Sequence, residues 1–252
     1  MTITVISQSM YLPWLGLFEQ MKFADLFVHY DDVQFSRGFY NRVQIMGKSG
    51  GKYITIPLKK GPQKQLLQDK KIDNQYDWKL THRNSLTDSL KSTPFFKDAI
   101  KLFELTTAAS SGELVYYSRG SIKRISKYMG INEDLRFEDS ASLNPVGVSS
   151  QRLLDICKKT GTEIYLTGLG GLSYLDHELF ERNNVDVFYM NYCFIPYNRL
   201  RNKYTPYLSS LDPIAHLGPQ TVNTMRSKMI HWSEAIKNPA DLRATQYPGA
   251  VI

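Results

Sequence analysis

Between Ile3 and Tyr30 the apolar residues change their spacing twice, and few folds accept that order. Ile3 to Ser7 is a short, β-branched run that Gln8 to Pro13 interrupts. Trp14, Leu15, Leu17, Phe18, Met21 and Phe23 then recur at helical spacing, and Leu26 to Tyr30 forms a second short apolar run stopped by Asp31 and Asp32. Strand, loop, helix and strand in so short a span predict the opening βαβ unit of a parallel sheet, in which ligands sit beyond the carboxyl ends of the strands. Gln8 to Trp14 and Asp31 to Asn41 fall on that rim. They nominate Gln8, Tyr11, Trp14, Gln34 and Asn41 as binding residues, with Arg42 just beyond as a two-pronged donor to phosphate or carboxylate.

Next, Asn41 to Met46 and Tyr53 to Leu58 read as a hairpin across the turn-rich Gly47-Lys48-Ser49-Gly50-Gly51. A helical period governs residues 76–130, which breaks at Ser92-Thr93-Pro94 and Ala108 to Gly112 divide into three helices of an inserted lobe. Leu135 to Phe137 reads as a short strand and Ser140 to Ser149 as a linker. Parallel-sheet order resumes with a helix over Ser149 to Lys159, a stop at Thr160-Gly161 and a strand over Glu163 to Thr167. Gly168-Leu169-Gly170-Gly171 follows, then a helix from Tyr174 to Arg182 and a strand from Val185 to Met190.

A glycine-rich turn between strand and helix presents backbone N–H groups that suit phosphate or carboxylate, and it nominates Gly168, Gly170 and Gly171, with Tyr174 and Asp176 after them. The glycine spacing is not a dinucleotide fingerprint; a tight turn without a ligand accounts for it equally. The expected fold is one α/β domain over 1–252, a Rossmann-like, doubly wound parallel sheet with an inserted hairpin and helical lobe. Leu208 to Leu217 and Thr221 to Ile230 read as closing helices, and 238–252 as an irregular tail.

At this length the sequence shows the resemblance that its rim residues carry. The run SQSMYLPWLGLFEQMKFADLFVHYDDVQFSRGFYNRVQI, the block YLTGLGGLSYLDHELFERNNVDVFYMNY and TPYLSSLDPIAHLGPQ, in that order, resemble the WbqC-like family. Ser9 stands where that family usually has Pro, and Leu169-Gly170-Gly171 replaces a Pro-Ala-Gly type turn. The resemblance implies a part in O-antigen and surface-polysaccharide synthesis, with transfer of an acyl group, glycyl for one, to the amine of a nucleotide-linked amino sugar. The fold also resembles, more distantly, nucleotidyltransferase and pantothenate-synthetase domains. Their His-x-Gly-His corresponds here to Trp14-Leu15-Gly16-Leu17, so the adenylylating histidines are absent.

The chemistry on offer is spare. Adjacent strand residues point to opposite faces, so one of Asp31 and Asp32 should face the cleft as base or ligand anchor while the other caps the turn; both as turn formers is the plainer alternative. His216 is the first choice for a neutral imidazole base and His82 the second. No metal spacing, Walker loop or nucleophile elbow occurs. Tyr192, Tyr197, Tyr204 and Tyr207 offer flat apolar faces with polar tips, a surface for sugar or base. Cys157 and Cys193 read as buried thiols. A net charge of +7 points to an anionic partner. No apolar run approaches the roughly 18 residues a bilayer requires, and no secretion signal is present, so the expected location is cytoplasmic. The donor stays open among ATP with a free amino acid, aminoacyl-tRNA and an acyl carrier protein thioester. A non-catalytic module binding nucleotide-sugar or tRNA is the alternative.

Overall fold

A computed structural model describes residues 1–36, 38–47, 49–62, 64–193, 197 and 207–237. Strand β1 (Ile3–Ser7) leads through helix α1 (Leu15–Met21) to β2 (Leu26–His29), and a hairpin of β3 (Arg42–Gly47) and β4 (Gly50–Thr55) follows. Three helices come next, α2 (Trp78–Leu90), α3 (Phe96–Thr107) and α4 (Leu114–Tyr128). Then run β5 (Arg136–Asp139), α5 (Ser140–Leu143), α6 (Ser149–Thr160), β6 (Ile164–Thr167), α7 (His177–Glu181) and β7 (Asp186–Asn191). The described chain closes with α8 (Leu211–Leu217), β8 (Lys228–His231) and α9 (Trp232–Ala235).

Six strands form one sheet in the order β5-β2-β1-β6-β7-β8, parallel except for the antiparallel β7–β8 pair. This is a Rossmann-like α/β fold. The chain first winds outward from β1 through β2 to β5 and then returns to the other side of β1 with β6 and β7. The winding direction therefore reverses between β1 and β6, where a doubly wound sheet opens its crevice. β2 and β6 are buried along their whole length, as unbroken apolar runs covered on both faces must be. Alternation sends Val5, Phe27, Leu166 and Met190 into the core shared with α1, the hairpin and the three-helix lobe. Ile6, Val28, Tyr165 and Val187 go into the core under α6 and α7.

Several expectations need correction. Thr221 to Ile230 is not a helix: a 3-10 segment, Gly218–Thr224, gives way to β8, whose four residues are too few to register a strand period. The helix expected from Tyr174 begins only at His177, where Asp176 caps it by accepting from Leu179 N–H at 3.0 Å. The hairpin turn is shorter than the glycines suggest, because Gly47 and Gly50 pair directly. Cys157 is buried, with burial pushing its thiol up to about 12, but Cys193 is exposed. The tail at 238–252 lies outside the described residues. Among the described residues no helix is long and apolar enough to cross a membrane.

Candidate functional site

The reversal between β1 and β6 opens a cleft of about 530 Å³. That is within the range of small-molecule sites. Ser7 at the end of β1 and Gln8, Met10 and Trp14 in the loop after it line the cleft, with Thr167 at the end of β6, Gly168 to Gly171 in the turn that follows, and Tyr30 and Tyr192 just past β2 and β7. Tyr40, Tyr174 and Tyr207 complete an aromatic lining, with Ser149 at the start of α6.

The tryptophan wall is built from α1 outward. Gly16 carries no side chain, and the indole of Trp14 occupies the vacant place: a Cβ on Gly16 would lie 2.1–2.4 Å from three ring atoms. The indole then meets Tyr192 at 5.2 Å and Tyr207 at 5.3 Å between ring centroids, and Tyr207 stacks on Phe39 at 6.0 Å. A bridge between Trp14 and Ser209 and a bond from Ser210 N–H to Pro13 O (2.9 Å) fix the chain beside Tyr207. One turn further along α1, Gln20 Nε2 donates to the Tyr192 hydroxyl at 2.7 Å. Burial makes Tyr30, Tyr40, Tyr174 and Tyr192 weaker acids than an ordinary tyrosine by raising their pKa, so these hydroxyls are neutral donors at pH 7.

None of the glycines of the β6 turn has a positive φ. What the turn requires is clearance. A Cβ on Gly168 would come 3.4 Å from the Tyr192 hydroxyl, one on Gly171 would press on Leu175 at 3.0 Å, and one on Gly170 would meet nothing. Of the five side-chain-bearing residues with positive φ among the described residues, three are asparagines elsewhere, and the other two are Leu12 (φ 45°) in the loop after β1 and Ser149 (φ 49°) in the cleft wall. Each conformation costs on the order of 1 kcal/mol, and such strain gathers at functional sites.

The acidic pair splits as strand geometry requires, yet neither carboxylate lines the cleft. Asp31 has no exposed surface; it accepts from Ser9 N–H and Ser9 Oγ, each at 2.8 Å, and from Arg119 Nε at 2.7 Å. Burial raises its carboxyl above the ordinary range, against the pull of Arg119 and Ser9. Arg119 also reaches Asp139 at 2.6 Å, joining α4 to the ends of β2 and β5. Partial burial would raise Asp139, but Arg119 outweighs it and holds that carboxyl below the usual value. Asp32 accepts from Ser140 Oγ and Arg152 Nη2, both at 2.5 Å. Ser9 also bonds His29 Nδ1 at 2.8 Å, and burial lowers that imidazole to about 3.

Of the residues nominated from sequence, Gln8, Trp14, Gly168, Gly170, Gly171 and Tyr174 line the cleft. Tyr11 instead turns into the core, where its hydroxyl meets His82 Nδ1 at 3.1 Å; burial lowers that imidazole to about 4. Gln34 bridges Leu66. Asn41 bonds Ile56 O at 2.9 Å, and Arg42 bonds Gly38 O at 3.1 Å while covering the Tyr53 ring, so both belong to the hairpin. His216 Nδ1 bonds Asp212 O at 2.8 Å, and Asp212 also accepts from the Tyr197 hydroxyl, a cluster apart from the cleft lining. Tyr204 lies outside the described residues. Sequence reasoning missed Tyr30, Tyr40 and Ser149 in the cleft and the two arginines behind it.

Comparison with known proteins adds a family. The model of the WbqC-like protein family matches residues 8–224. The chain is 28% identical over 225 residues to uncharacterized protein Rv1507c of Mycobacterium tuberculosis, an alignment covering 88% of this chain and 96% of that protein. No solved structure matches.

Proposed function

This chain belongs to the WbqC-like protein family, and from that premise we propose that its cleft holds a nucleotide-linked amino sugar whose amine receives an acyl group, glycyl in the first instance, during surface-polysaccharide synthesis. The observation that carries the reading is the switch-point cleft walled by Trp14 and tyrosines. Flat rings stack on sugar and base, and neutral hydroxyls meet sugar hydroxyls. The activated donor would be an aminoacyl-tRNA, a carrier-protein thioester or an amino acid with ATP.

The engagement of both carboxylates of the acidic pair by Arg119 and Arg152 favours a second reading, a module that binds the nucleotide-sugar without turning it over.

Thermal unfolding against ATP, UDP- and dTDP-amino sugars and tRNA tests the ligand. At 100 times the dissociation constant a ligand adds about 2.7 kcal/mol, a rise of several degrees at this length. The expected rise comes with a nucleotide-linked amino sugar and shrinks in Trp14→Ala, because loss of one stacking ring costs about 1–3 kcal/mol. Stabilisation by tRNA alone, or by none of these, overturns the reading. Acylated sugar recovered after incubation with a glycyl donor would decide for the transferase over the module.

A further inference from the structure

Behind the cleft wall lies a carboxyl group that the proposed reaction does not use. Glu19 of α1 has no exposed surface, and among the described residues neither of its oxygens makes a hydrogen bond of ordinary length and angle, although donors of Ser227 and Arg226 stand close enough to act on it. Such a group is costly to bury and costliest when ionised. The groups that face it come from three places: Lys22 at the C-terminal cap of its own helix, Arg226 N–H with the N–H and hydroxyl of Ser227 on the segment entering β8, and Tyr192 just past the end of β7.

The facing groups already hold that corner together. Lys22 Nζ donates to Met225 O at 2.9 Å, Arg226 N–H donates to Cys193 O at 3.0 Å, and Ser227 Oγ accepts from Cys193 N–H at 2.9 Å. Tyr192, next to Cys193, carries the hydroxyl that Gln20 positions in the cleft.

We propose that Glu19 is a proton-operated latch on the cleft. Uncharged, it leaves residues 225–227 clamped on Cys193 and Lys22. Ionised, it competes for Lys22 Nζ and Arg226 N–H, the donors otherwise spent on Met225 O and Cys193 O, and so loosens the Tyr192 end of β7.

Burial, opposed by Ser227, Lys22 and Arg226, raises the carboxyl from 4.5 to about 7, which places the exchange in the neutral range. A carboxyl raised in the fold keeps its proton where the unfolded chain has already released one. The protein therefore loses stability as pH climbs from 4.5 to about 7, by a factor on the order of a hundred in the folding equilibrium, and the loss is complete above that window. This inference does not depend on the identity of the ligand.

Thermal unfolding of wild type and Glu19→Gln reads the stability term. The variant is expected to melt several degrees above wild type near pH 8 and close to it near pH 5. Hydrogen exchange reads the latch. Corrected for intrinsic rates, backbone amides at 190–193 and 225–228 should exchange about fivefold faster near pH 8 than near pH 6 in wild type but not in Glu19→Gln. Should the variant fail to fold, carbon NMR of the wild-type glutamate carboxyls still decides, with one resonance expected to titrate near 7. Every glutamate titrating below about pH 5.5, or an acceleration that persists in Glu19→Gln, overturns the proposal.

Discussion

Arg119→Met is expected to destabilise the protein by about 3 kcal/mol, the lower end of the usual result of stripping one partner from a buried ion pair, because Asp31 is fully buried while Arg119 is partly exposed. At this length that lowers the melting temperature by on the order of 10 °C. The substitution keeps most of the side chain's apolar stem, so the loss isolates the guanidinium. Asp31 would be left fully buried with only the two Ser9 donors, and Asp139 would lose its partner as well. Urea denaturation measures the effect, and a double-mutant cycle with Asp31→Asn assigns it, since residues in one network couple by about 0.5–3 kcal/mol. A change below about 1 kcal/mol in Arg119→Met would show that Asp31 does not need its arginine. The same experiment guards the interpretation of Asp31→Asn, because activity lost in that variant is first to be attributed to a loosened joint between α4, β2 and β5.

The second large effect lies at Gly16, and its sign depends on the neighbour. In wild type, Gly16→Ala should destabilise by about 1–3 kcal/mol, because the methyl group enters the Trp14 indole and the ring must leave the wall. Ligand stabilisation should fall with it, as far as in Trp14→Ala. In a Trp14→Ala background the space is vacant, and alanine is the better helix former by about 1 kcal/mol. There Gly16→Ala should be neutral or stabilising. Equal destabilisation in both backgrounds would mean that the indole does not rest on Gly16.

How much of this was legible in the sequence follows from how far each signal reaches. β1, β2, β6 and β7 announce themselves because buried parallel strands are unbroken apolar runs, and α6 ends at a left-handed Gly161 as its sequence implies. β8 is hidden because Lys-Met-Ile-His shows too little alternation to fix a period. The glycine turn and Trp14 could be placed on the rim, since strand ends give the rim. Tyr30 and Tyr40 could not, since no period tells which way a loop side chain points. The acidic pair was visible and its split followed from strand geometry. Its partners were not, because Arg119 and Arg152 lie 88 and 120 residues away along the chain.

The place of β6 beside β1 has a consequence for biogenesis. Ile3 pairs with Ile164, so the inner edge of β1 must wait for most of the chain to be synthesised before it finds its neighbour. At ordinary translation rates that interval is on the order of ten seconds. During it the first βαβ unit can form, but an apolar, β-branched edge stays open to any other nascent strand. A chain interrupted before Ile164 would carry the lobe and one wing of the sheet, with that edge still unpaired and half of the cleft unmade.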